Sequence, residues 1–82
     1  MKNIKDFTPT DLDGNKLPID GLASLIGNEV YFSARDLSLL DTAKKIYNKQ
    51  DFESSPELID TISATQRIAP WLKQQFVDFL CS

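Results

Sequence analysis

From Asp20 onward, apolar residues recur at intervals of three and four, at Leu22, Leu25, Ile26, Val30, Ala34 and Leu37, which is the spacing of one face of an α-helix. With Phe32 they cover an arc of about 200° on a helical wheel, wider than one ordinary buried stripe, and Tyr31 falls outside it. The spacing predicts a helix over residues 21–35, capped by Asp20 and more buried than its neighbours. Gly27-Asn28 interrupts the pattern and weakens it by about 1 kcal/mol relative to Ala. Either one helix bends there or one short helix ends and another begins.

A second helix is expected over residues 39–48, with Ser38 as its cap and Asp41 completing a capping-box variant. Leu39, Leu40, Ala43, Ile46 and Tyr47 form its apolar face, while Asp41, Lys44, Lys45 and Lys49 point to solvent. The polar stretch Gln50-Asp51-Phe52-Glu53 reads as a loop or brief extended piece that drops Phe52 into the core. Ser55 followed by Pro56 marks the next helix start, reinforced by the capping-box spacing of Ser54 and Glu57. That helix, residues 56–66, carries Leu58, Ile59 and Ile62 on a narrow stripe. The last, residues 70–80, places Trp71, Leu72, Phe76, Phe79 and Leu80 on an arc of about 180°.

Residues 4–19 break this periodicity. Ile4 to Thr8, the turn pair Asp13-Gly14 and Lys16 to Ile19 suggest a small β-hairpin, shortened by Pro9 and Pro18, which lack backbone donors. The expected fold is therefore a single α+β, mainly α domain, with the hairpin at 4–19 leading into a helical part at 20–82. Its expected core comprises Leu22, Ile26, Val30, Leu40, Ala43, Ile46, Ile59, Ile62, Leu72, Phe76 and Phe79.

Composition narrows the chemistry. The chain has 82 residues, of which 41% are hydrophobic, enough to close one small core. It has no histidine, which removes the commonest acid/base group and metal ligand, and one cysteine, Cys81, which leaves no internal disulfide and no Cys/His zinc site. Nine Lys and Arg against twelve Asp and Glu give a net charge of -3, so nonspecific attraction to nucleic acid or anionic membranes is disfavoured. Without a signal-like apolar segment or a run of the roughly 20 residues that span a bilayer, the expected location is the cytoplasm.

Asp11-Leu12-Asp13-Gly14-Asn15 has the flavour of a calcium loop, yet it lacks the alternate ligands and the distal Glu that an EF-hand needs, so a plain turn is expected. Arg35-Asp36 could pair locally or meet a partner. No nucleotide-binding or acyl-transfer motif occurs, and neither a cofactor nor a small-molecule ligand is expected. The broad aromatic arc of the last helix suggests a protein partner or a homodimer docking near Trp71 and Phe79, with complete burial in the monomer as the competing reading. The candidate nucleic-acid faces are Lys44, Lys45 and Lys49 at residues 39–48 or, with Lys73 alone, residues 70–80, against a solvated helix surface as the simpler account.

Four pieces taken together, Asp11-Leu12-Asp13-Gly14-Asn15, Leu25 through Tyr31, Ala43-Lys44-Lys45-Ile46-Tyr47 and Phe52 through Glu57, resemble a pattern in small uncharacterised proteins of bacteriophages and prophages. The resemblance implies context and no catalytic residue. The expected function is non-enzymatic protein–protein interaction, in particle assembly or in modifying a host factor; the alternative is a small DNA-associated regulator using the lysine-bearing helix.

Overall fold

The computed structural model describes residues 1–82 and consists of four helices, α1 (Asp20–Ser33), α2 (Leu37–Tyr47), α3 (Pro56–Ala64) and α4 (Pro70–Cys81), preceded by a single 3₁₀ turn at Ile4–Asp6. Helix makes up 60% of the chain and there is no sheet, so the domain is helical and not α+β.

The expected hairpin is replaced by two separate pieces. Ile4–Asp6 winds into the 3₁₀ turn because the Asn3 side chain accepts the Lys5 N–H at its start. Farther along, the chain reverses at Asp11–Asn15, with Gly14 at φ +85°, but only Thr10 and Lys16 pair as strands do. Pro9 and Pro18 flank that pair and cannot donate to further rungs. The other strand-like pairing joins Lys2 to Phe52, whose N–H and C=O groups exchange two 2.7 Å hydrogen bonds. This delivers Phe52 to the core, where it is fully buried.

α1 runs without a break through Gly27-Asn28. It packs most closely against α2. Gly27 explains the approach: a Cβ placed there would lie 2.9 Å from Tyr47 Cβ and 3.0 Å from Tyr47 Cα. α1 begins one residue early, with Ile19 and not Asp20 at the cap position and no side-chain cap. α2 likewise begins at Leu37, because Asp36 and not Ser38 is its cap: the Asp36 carboxylate accepts the Leu39 N–H at 2.9 Å and the Ser38 hydroxyl at 3.0 Å.

α2 ends in a Schellman arrangement, Gln50 N–H donating to Lys45 O and Lys49 N–H to Ile46 O, with Lys49 at φ 58° where glycine is usual. At α3 the sequence reading holds: Ser55 accepts the Leu58 N–H and Pro56 opens the helix. Ser54 does not form the expected capping box; its hydroxyl donates to Leu80 O at 3.1 Å, tying α3's approach to the end of α4.

One apolar cluster of 15 buried residues unites these elements, and it contains Ile26, Val30, Ala43, Ile46, Ile62, Leu72 and Phe76 as expected. Leu22, Ile59 and Phe79 are only partly buried at its edge, and Leu40 is half-buried. Ile4, Phe7, Leu39 and Ile68 join the cluster. The broad burial expected of α1 does not occur, since Phe32 and, beyond its end, Leu37 are exposed.

Candidate groove between α1 and α2

The two residues expected to mark a docking surface on α4 sit in different environments. Trp71 is 46% exposed. Phe79 is half-buried beneath the N-terminal segment: its ring lies 5.3 Å from that of Phe7 and 6.0 Å from that of Phe76, and Lys2 Nζ stands 5.3 Å from its centroid. Eight helical positions also separate them by about 12 Å along the axis, so they do not form one contiguous patch.

The three lysines of the candidate nucleic-acid face, Lys44 and Lys45 on α2 and Lys49 just past its end, are likewise divided. Lys45 pairs with Asp41 at 3.1 Å and Lys49 with Asp20 at 2.5 Å. Lys44 is exposed and joins neither ion pair. A uniform cationic face for phosphate is therefore not what the fold presents.

What the fold does present lies where α1 and α2 come closest. Gly27, Asn28 and Tyr31 of α1, Ala43, Lys44 and Tyr47 of α2, and Asn48 just after it line a groove of about 200 Å³ with a mainly apolar surface. The groove exists because Gly27 has no side chain, which lets the α2 backbone at Tyr47 sit against α1. Tyr31 and Tyr47 then flank the seam, 45% and 48% exposed. Phe32 extends the aromatic surface, its ring edge-to-face with Tyr31 at 5.6 Å. Sequence reasoning set Tyr31 outside the buried arc and read Gly27 as a weak point of the helix. The signal it passed over is that a glycine kept inside a helix despite its cost often has a packing reason.

A second, larger depression of about 570 Å³ is lined mostly by polar and charged residues, Arg35, Asp36, Glu57, Asp60 and Thr65 among them. Its acids are solvated or already engaged. Asp36 and Asp60 are exposed, and the Leu39 N–H and the Ser38 hydroxyl hold Asp36 below its ordinary pKa. Glu29 is the one buried charged residue, and the Thr65 hydroxyl donates to it at 3.4 Å. No three carboxylate or thiol side chains converge in the arrangement a metal ion would require. Arg35 does not pair with Asp36, whose carboxylate is occupied by the α2 cap.

The Asp11–Asn15 turn is held internally. Asp11 Oδ1 accepts the Asp13 and Asn15 N–H groups, each at 2.9 Å, and these bonds, led by that of Asn15, keep its carboxyl below the ordinary value. The base of the turn is fixed to α4 by Gln75, whose amide donates to Thr10 O at 2.9 Å and accepts the Thr10 N–H at 3.0 Å. No helix is long and apolar enough to cross a membrane. No protein-family model, curated protein or solved structure matches the chain.

Proposed function

We propose that this chain is a non-enzymatic interaction protein that docks a polypeptide in the groove between α1 and α2. The observation that carries this reading is the glycine-floored seam flanked by two half-exposed tyrosines. Tyrosine offers a large apolar ring at low entropic cost together with a polar tip, and aromatic residues are enriched at interface centres. In the setting implied by the resemblance to small bacteriophage and prophage proteins, such docking would serve particle assembly or the modification of a host factor. The DNA-associated alternative is weaker, because Lys45 and Lys49 would have to leave Asp41 and Asp20 to reach phosphate.

Peptides selected by display against the wild-type protein test the proposal. The expected binders carry an apolar anchor, shift the amide resonances of Gly27 and Ala43, and lose affinity at least tenfold on Tyr47→Ser. Binders that leave those resonances unmoved, or that tolerate Tyr47→Ser, count against the groove. Steeply salt-dependent binding of mixed-sequence duplex DNA, abolished by Lys44→Ala with Lys45→Ala, would instead favour the regulator.

A further inference from the structure

Building on that reading, we propose that the groove receives the Leu12 tip of a second copy of this chain, so that copies associate head to tail. Leu12 is fully exposed, at 106% of its reference area. It stands at the crest of the Asp11–Asn15 reversal, and that reversal is not a slack loop. The Asp11 carboxylate draws in the Asp13 and Asn15 amides, and Leu17 N–H donates to Pro9 O at 2.9 Å below them. Gln75 then grips Thr10 at the base. A leucine held out on so constrained a support loses little conformational freedom when it is bound.

The groove matches this tip in size and in charge. An apolar cavity of about 150 Å³ accommodates benzene, so a groove of about 200 Å³ has room for the four carbons of a leucine side chain. Asp13 follows Leu12 directly and is exposed, and Lys44 stands on the groove wall. Neither belongs to either of the ion pairs in the fold. Both are therefore free to form an ion pair with each other on docking.

Tip and groove are different surfaces, so the contact is heterologous and does not exhaust itself in a dimer. One copy with a free groove can accept the tip of the next. A single side chain with its flanks buries far less than a standard interface, which places the affinity in the weak range typical of small contacts. The association therefore appears as a gradual rise in mass with concentration and not as a fixed stoichiometry.

Sedimentation velocity over a concentration series tests this with full-length chains. Wild-type protein should rise progressively in mean mass, while Leu12→Ser and, separately, the pair Tyr31→Ser with Tyr47→Ser should each remain monomeric with unchanged helix content. Mixing the two variants should restore a contact, because one retains a groove and the other a tip. That mixture should stop at a 1:1 heterodimer. Asp13→Lys and Lys44→Glu should each weaken the wild-type association about threefold, a scale set by exposed ion pairs, and the two combined in one chain should recover it.

A wild-type chain that stays monomeric throughout overturns the inference, and if display-selected peptides still shift Gly27 and Ala43 the docking function survives without it. Wild-type association that persists in Leu12→Ser overturns it in favour of a symmetric aromatic contact. A mixture of the two monomeric variants that fails to pair, or a charge reversal that fails to recover, overturns it as well.

Discussion

The first nineteen residues and the α1–α2 pair are held by different means. The helix pair is a continuous seam in which Ala23, Ile26, Val30, Leu39, Ala43 and Ile46 are buried side by side and Gly27 brings the backbones together. The N-terminal segment has no such seam. It depends on isolated anchors: Ile4 and Phe7 in the core, one bridge from Lys2 to Phe52, and the Gln75 clamp on Thr10, which reaches 65 residues along the chain. Periodic burial distributes stability over many small contacts, whereas anchored burial concentrates it in a few. The consequence is that single substitutions should act locally and unequally in the two regions.

The largest expected effect is on the anchored side. Phe7 is 4% exposed and its ring packs edge-to-face on Phe76 at 5.2 Å, so Phe7→Ala should cost about 3–5 kcal/mol. Chemical denaturation measures this, and a loss below about 1 kcal/mol would show that the segment contributes little to the core. On the seam, Gly27→Ala would gain up to about 1 kcal/mol in helix propensity but forces a methyl to within 2.9 Å of Tyr47. Overpacking of that kind costs about 1–3 kcal/mol. The thermal midpoint should fall, and a rise would mean that α1 and α2 can part without penalty. Gln75→Ala is smaller, about 1 kcal/mol for its two hydrogen bonds to a half-buried backbone. Amide exchange should quicken over residues 9–17 while that of α1 and α2 stays as it is.

The smallest effect is acid sensitivity. Asp11 is held below 3.8 chiefly by the Asn15 N–H, and Asp36 chiefly by the Leu39 N–H. A carboxyl with a depressed pKa in the folded state contributes its full stabilisation above the unfolded value and loses it as pH falls through the folded one. Both the Leu12 support and the first turn of α2 should thus be insensitive to pH from neutrality down to about 4 and loosen only in stronger acid. The Asn15 and Leu39 amide resonances report this, and an inflection at or above 3.8 would contradict it.

The same division governs what could be read from the sequence. Helix positions followed from periodicity, and the Ser55-Pro56 start and the delivery of Phe52 to the core were visible because each rests on chemistry confined to a few neighbouring residues. The start of α2 lies two residues before the one expected with Ser38 as cap, because Asp36 caps the helix and draws the Ser38 hydroxyl to its own carboxylate. Burial of Ile4 and Phe7 had no local signal, since their partners are the Lys2–Phe52 bridge and the rings of α4. The expected hairpin failed for a reason already present in Pro9 and Pro18, whose missing donors outweighed a favourable Asp-Gly turn. Of the candidate site, Tyr31 and Lys44 could be placed at the surface, but the groove itself arises only when Gly27 meets Tyr47 across two helices.

Those two prolines have a further consequence. By limiting the reversal to the single Thr10–Lys16 bridge, they leave no extended strand there along which another chain could add. Unprotected strand edges are templates for amyloid-like growth, and proline is one of the residues that blunt them. The fold therefore holds out an apolar side chain at Leu12 without a regular strand edge beside it.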